Sequence, residues 1–281
     1  MIELPEATTI ARQMSAELKG KCIADGNRGN APHKFAFYSR PPEEYAAIFE
    51  GKTMGEATVN GWLILASVEP AHTLILGCGG ERIIYHHSAT SLPKKRQLLL
   101  HFTDDTYLTV TVQGWGAALL LHQSEVAGHR FVNLAKPSPL SDAFTPDYFL
   151  GLFTGLAKDD RASVKYFMIS EPGVLGVGNG CLQDILWQAR LHPRRPAVGL
   201  TSAEKLRLYT AIREVLQEMV EGGGRDSDRD LCNCPGSYKR ILHSKVVGQP
   251  CLRCSAPIEK ATYLGGAIYV CPSCQAATGL E

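Results

Sequence analysis

The sequence predicts an α+β multidomain protein, and three observations predict it. Short runs of β-branched, aromatic and aliphatic residues, parted by turn residues, fill residues 20–143. Helical periodicity takes over after the Pro- and Ser-bearing stretch Lys136–Asp142. Two Cys-x-x-Cys pairs then close the chain at Cys251/Cys254 and Cys271/Cys274. The expected order is a β-sandwich or barrel with a leading helix over 1–135, a linker at 136–143, a helical domain over 144–248 and a four-cysteine hairpin over 249–281.

In the leading segment, Pro5 suits a first helical turn, and Ile10, Met14 and Leu18 recur at helical spacing. Strands are expected at Trp62–Val68, Thr73–Leu76, Arg82–His86, Gln97–Phe102, Tyr107–Val112 and Ala117–His122, with a short helix over Glu43–Phe49. Beyond the linker, Thr145 is an N-cap with Pro146 at the first helical position. Helices are expected at Ala162–Ile169 and Leu182–Arg190, either side of a glycine-rich turn at Pro172–Gly180. Thr201-x-x-Glu204 is a capping box that opens a long helix ending at the glycines 222–224, with Leu208, Ile212, Val215 and Met219 on one face. Residues 225–248 read as irregular.

Composition excludes several classes. At 44% hydrophobic and 20% charged the chain reads as globular, and its 281 residues suffice for two domains. No apolar run reaches the roughly 20 residues a membrane span needs. The start MIELPEATT has no basic region and does not read as a signal peptide, so a reducing, cytoplasmic setting is expected for the nine cysteines. Net charge is +1, but residues 1–150 hold 13 basic and 15 acidic residues and the remainder 16 and 13. A nucleic-acid surface would therefore lie mainly on the C-terminal half.

The paired cysteines flank sixteen residues that can fold as a hairpin about Leu264-Gly265-Gly266. A disulfide framework is the plain alternative, but the knuckle spacing and the absence of any export signal favour one Zn²⁺ in a closed tetrahedral site. Such a site has no vacant position and serves shape, not chemistry. Cys232-x-Cys234 is too tight for a second knuckle.

Taken together, the motifs resemble the formamidopyrimidine-DNA glycosylase / endonuclease VIII family over nearly the whole chain. The resemblance rests on Glu3-Leu4-Pro5-Glu6 with Arg12 behind it, Lys165, the turn Val174–Asn179, and Leu191-His192-Pro193-Arg194-Arg195. In the hairpin it rests on the cysteines, Ile258, Lys260, Gly265 and Cys271-Pro-x-Cys-Gln. It implies a β-sandwich, a helix–two-turn–helix domain and a zinc hairpin acting on double-stranded DNA with a damaged or abasic site, as a monomer without a membrane partner. Glycines before a helix suit a phosphate independently of any family, so Gly178 and Asn179 are expected at DNA. Lys165, Arg190, Arg194, Arg195 and Lys260 would add phosphate charge. The plain alternatives are an ordinary glycine connection and a solvated basic face.

Family members attack the sugar with an N-terminal proline amine, and a neighbouring glutamate handles protons. Here Glu3 is present but Ile2 stands where the proline would be. Methionine is not normally trimmed before isoleucine, so the free amine would belong to Met1, displaced by up to about 3.5 Å. Further departures follow from the resemblance. The family's β-domain lysine falls at Gly61, its methionine that fills the hole of an everted base at Cys78, its intercalating Arg-Arg-Phe-Gly at Gln113–Gly116, and its hairpin-tip arginine at Gly266. Trp115 can still wedge between bases. The expectation is a divergent glycosylase, with or without lyase activity, in which Glu3, with Glu6, activates water or assists the amine of Met1 or Ile2 on a base flipped from the stack. The alternative is a damaged-DNA-binding protein that has lost catalysis. A zinc-ribbon interaction protein without DNA binding is disfavoured by the helix–two-turn–helix segment. Glu3 and Glu6 could also serve only to cap a helix.

Overall fold

The computed structural model describes residues 1–156 and 162–277. They form two compact units, Met1–Lys136 with Val220–Tyr238, and Pro137–Met219 with Lys239 onward. The irregular stretch after the long helix is therefore divided between the units, where the sequence suggested one domain over 144–248.

The first unit opens with α1 (Leu4–Glu17), followed by β1 (Ile23–Asn27), β2 (Ala36–Phe37), α2 (Pro42–Phe49), β3 (Thr53–Asn60), β4 (Leu63–Glu69), β5 (His72–Gly77), β6 (Glu81–His86), β7 (Leu98–Phe102), β8 (Tyr107–Val112), β9 (Gly116–His122) and α3 (Gln123–Val126). The strands make a four-stranded sheet, ordered β1-β7-β8-β6, and a five-stranded sheet, ordered β2-β9-β5-β4-β3. Their inner faces bury one core in which Leu74, Leu76 and Leu120 meet Ile83, Leu100 and Val110, with Ile10 and Met14 of α1. Alternate residues of the same strands, Ile75, Leu119 and Leu121, point to the other face and pack with Val132. β5 and β9 are thus buried on both faces and read as unbroken apolar runs. The three strands the sequence did not signal have reasons. β1 carries Asp25, Gly26 and Asn27, β2 has two residues, and β3 is polar on its outer face. Leu231 enters the same core, and its carbonyl accepts from Tyr85 N at 2.8 Å.

The second unit holds α4 (Pro146–Gly151), α5 (Val164–Ile169), α6 (Asn179–Ala189), α7 (Ser202–Glu221) and the hairpin of β10 (Glu259–Tyr263) and β11 (Gly266–Val270). The caps are those the sequence announces: Thr145 accepts from Tyr148 N, and Thr201 and Glu204 bond reciprocally. Phe149, Phe153, Phe167 and Tyr209 form an aromatic core, with Phe153 and Phe167 stacked at 4.1 Å. α6 starts three residues earlier than its apolar pattern suggests, because Gly178 takes the N-cap position with extended backbone.

Candidate active site and nucleic-acid interface

Helix α1 begins at Leu4 because Glu3 is its N-cap. Glu3 and Glu6 form a reciprocal capping box, with Glu3 N donating to Glu6 Oε2 at 3.0 Å. Two acids at a helix N-terminus are favoured by its dipole, but both are at most 3% exposed and need a cation. Arg225, itself 2% exposed, supplies it. Its Nε and Nη2 reach Glu6 at 2.9 and 2.7 Å, Nη1 reaches Glu3 at 3.1 Å, and its backbone N donates to Glu6 at 3.0 Å. Nη2 also donates to the Met1 carbonyl at 2.6 Å. Both carboxylates are thus engaged in capping and in a buried ion cluster beside the chain's N-terminus.

The N-terminal amine is held instead by Asp228, with which it forms an ion pair. Burial would raise the Asp228 carboxyl, but the Arg225 guanidinium, whose Nη2 lies 3.5 Å away, and the amine outweigh it and hold the group below the usual carboxylate range. Ser227 Oγ donates to the other carboxylate oxygen at 2.6 Å. Ile2 is buried at 4% exposure and its amide donates to Gly79 O at 2.6 Å. With Met1 in place it is a core residue.

Met1 and Asp228 line a cavity of about 320 Å³ together with Ile2, Cys78, Glu81 and Trp115. Its floor is two loops zipped together: Gln113 N donates to Gly80 O and Gly80 N to Trp115 O, both at 2.7 Å. Glycine is required at position 80, where a Cβ would lie 2.9 Å from Gly114 N. Glu81 staples the same floor, accepting from Gly79 N at 2.9 Å and Ala117 N at 2.6 Å, and its burial pushes the carboxyl up to about 7. Cys78 has φ 99°, a region side chains rarely adopt. Its thiol is pushed up to about 11, by burial first and then by the nearby Glu81 charge. Trp115 remains 56% exposed, stacked on Phe35 at 4.6 Å and Phe37 at 5.5 Å. Gly61, where the resemblance implies a lysine, lies between β3 and β4 with φ 65°. Met1, Ile2, Cys78 and Trp115 are thus brought together, while Arg225, Asp228 and Glu81 were not anticipated.

In the second unit the expected phosphate ligands divide. Lys165 is 1% exposed and donates through Nζ to Tyr263 O at 2.8 Å; burial lowers its pKa. This contradicts a solvated position for its ammonium: α5 turns it onto the hairpin backbone. Asn179 Nδ2 likewise donates to Ala267 O at 3.0 Å, and its Oδ1 is buried without a hydrogen-bond partner. Arg195 grips Glu204 at 2.6 and 3.0 Å, and Arg194 reaches Thr262 O at 3.2 Å. Lys260 is exposed on β10, paired with Tyr269.

The four cysteine sulfurs Cys251, Cys254, Cys271 and Cys274 lie within 4.8 Å of one another. The separations Cys254–Cys271, Cys254–Cys274 and Cys251–Cys274 are 3.4, 3.5 and 3.9 Å. A tetrahedron with Zn–S bonds of about 2.3 Å has edges of about 3.8 Å, so the donor set fits. Trp187 Nε1 donates to Cys251 Sγ at 3.4 Å, and Arg253 N and Cys274 N point at cysteine sulfurs, an outer layer suited to thiolates.

Known proteins match this arrangement. Residues 135–230 match the family model "Formamidopyrimidine-DNA glycosylase H2TH domain". A formamidopyrimidine-DNA glycosylase of Bacillus licheniformis is 30% identical, covering 98% of this chain and 99% of its own. The chain belongs to the formamidopyrimidine-DNA glycosylase family. The Chloroflexus aurantiacus glycosylase is 28% identical over 98% of both chains. The structure of the Thermus thermophilus MutM (Fpg) protein aligns with a TM-score of 0.81 and 28% identity, over 97% of this chain and 98% of that one. The Lactococcus lactis Fpg in complex with DNA containing an abasic site shares the fold at 21% identity and a TM-score of 0.85, over 98% and 99% of the chains. Within the glycosylase family fold, the described residues include no helix long and apolar enough to cross a membrane.

Proposed function

We propose that this chain is a DNA glycosylase that removes a damaged base, and processes abasic sites, in double-stranded DNA, with the α-amine of Met1 as nucleophile. One observation carries the reading. In a fold whose relatives are glycosylases, the amine lines a cavity that could take a sugar carbon. The amine nitrogen would form a bond to C1′ as the base departs with the glycosidic electron pair and a proton, after which the C1′–O4′ bond breaks and O4′ takes its electron pair and the remaining amine proton; with an already opened sugar it would add to the aldehyde, which loses water. Either route gives an imine, from which loss of the C2′ proton expels the 3′ phosphate. Trp115, exposed on its Phe35–Phe37 support, would wedge beside the everted nucleotide. Lys260, Arg194 and the α6 N-terminus after Gly178 would hold phosphates, with Lys165 and Asn179 supporting the hairpin that presents Lys260. One Zn²⁺ on Cys251, Cys254, Cys271 and Cys274 would fix that hairpin. The protein acts as a monomer in the cytoplasm.

Borohydride trapping on a duplex with one abasic site tests this. The expected product is a covalent adduct on the tryptic peptide Met1–Arg12, together with base release from at least one member of a lesion panel. Tight binding with neither adduct nor release would leave only a damaged-DNA-binding protein.

A further inference from the structure

A nucleophile at a chain end must be held. A proline amine is fixed by its ring, but the primary amine of Met1 can rotate about its N–Cα and Cα–C bonds. A side chain 61% exposed gives it little anchorage. The structure supplies anchorage from elsewhere. Residues Arg225–Asp228 form a tight turn, closed by Asp228 N donating to Arg225 O at 3.0 Å and tied down by Asp226 N donating to Tyr238 O at 2.9 Å. From this one turn, Asp228 takes the amine and Arg225 takes the Met1 carbonyl at 2.6 Å. The next amide, of Ile2, is held by Gly79 O at 2.6 Å. Residue 1 is therefore fixed at its amine, its carbonyl and the following N–H. Asp228 is itself braced by Ser227 Oγ at 2.6 Å and faced by Arg225 at 3.5 Å.

We propose that Asp228 is a positioning residue for the chemistry, orienting the Met1 amine toward the cavity in place of the ring constraint that Ile2 cannot provide. This inference rests on the reading of Met1 as nucleophile. Asp228 does not enter the covalent step. The ammonium first gives one proton to solvent; the amine lone pair then forms the bond to the aldehyde carbon, the carbonyl π pair moves to oxygen, and that oxygen takes the two remaining amine protons and departs as water when the imine forms. The role of Asp228 is to keep the nitrogen within reach of the carbon, where displacement by about 1 Å can lower the rate up to a hundredfold.

The test is single-turnover borohydride trapping of the full chain on abasic duplex, at saturating protein, with affinity measured separately by fluorescence anisotropy. Asp228→Ala should lower the trapping rate between about ten- and a hundredfold while abasic-DNA affinity stays within about twofold. Asp228→Asn keeps an oxygen for the amine and should recover the rate to within about threefold of the parent. Should Asp228→Ala not fold, Ser227→Ala carries the test, because it removes the brace on the carboxylate; a fall in rate of about threefold without loss of affinity is then expected. Equal rates for the parent and the deciding variant overturn the inference and leave the nucleophile reading intact. A loss of affinity that matches the loss of rate, in Ala and Asn variants alike, overturns it in favour of a purely structural role. No adduct with the parent protein, or an adduct outside the peptide Met1–Arg12, overturns both the inference and the reading beneath it.

Discussion

Replacing Arg225 by alanine should strongly destabilise the first unit. The guanidinium donates twice to Glu6, once to Glu3 and once to the Met1 carbonyl, and also faces Asp228 at 3.5 Å. Summing these as charged hydrogen bonds at about 1.5–3 kcal/mol each would exceed the whole stability of many domains. That sum ignores the desolvation of the arginine, which the variant no longer suffers. The better comparison is the removal of one partner from a buried ion pair, about 3–5 kcal/mol, because Glu3 and Glu6 stay behind at 1% and 3% exposure. Neutralising Glu6 as well should return part of this. The double variant Arg225→Ala/Glu6→Gln is expected to be less destabilised than the two single costs together by at least about 1.5 kcal/mol. Urea unfolding at pH 7 measures this. A Trp187→Phe background leaves Trp62 and Trp115, both in the first unit, as fluorescence reporters of that unit alone. A cost below about 1 kcal/mol, or an additive cycle, would show that the cluster is hydrated or rearranged and would remove the basis for assigning Glu3 and Glu6 to structure.

Glu81 gives a pH signature. Burial raises its carboxyl from an ordinary value of 4.5 to about 7, against the hydrogen bonds from Ala117 and Gly79. Between those values the folded chain keeps a proton that the unfolded chain has released, so stability from this group is lost as pH rises. The fall is about 1.4 kcal/mol per unit and about 3 kcal/mol in all. Relative to the parent, Glu81→Gln should gain that amount between pH 4.5 and 7.5, and a difference flat with pH would contradict the assignment. For the hairpin, elemental analysis should find one zinc per chain. Cys254→Ser or a chelator should weaken binding to abasic duplex by more than tenfold, and metal-free protein with full affinity would refute a structural zinc.

Much of the fold was legible because local chemistry and tertiary role agree. Thr145-Pro146 and Thr201-x-x-Glu204 cap helices through contacts within four residues, so sequence neighbours carry the whole signal. β5 and β9 read as strands because both faces are buried. β3 was invisible, since its outward residues are polar and its pairing partner β4 is what makes it a strand. The site was legible only in part for a similar reason. Glu3 and Glu6 stand out in the sequence, yet their partner Arg225 is more than two hundred residues away in a stretch of glycines and aspartates. Nothing local in Arg225-Asp226-Ser227-Asp228 announces that its guanidinium is buried or that Asp228 meets the chain terminus. The four-cysteine cluster was legible because all four sulfurs sit in two knuckles whose spacing carries the geometry.

The position of the amine decides what can be asked of this family fold. If the nucleophile were the amine of Ile2, freed by loss of Met1, its nitrogen would start 2.6 Å from Gly79 O, next to a side chain only 4% exposed. Asp228 would lose the ammonium it faces, and Arg225 Nη2 the carbonyl it holds. A buried guanidinium and a largely buried carboxylate would each lose a partner. On the proposed reading, Met1 and the turn Arg225–Asp228 form one arrangement: a primary amine, unconstrained by a ring, would be held through Asp228 and Arg225. An adduct carried by Met1 and weakened when Asp228 is truncated is the outcome that joins them.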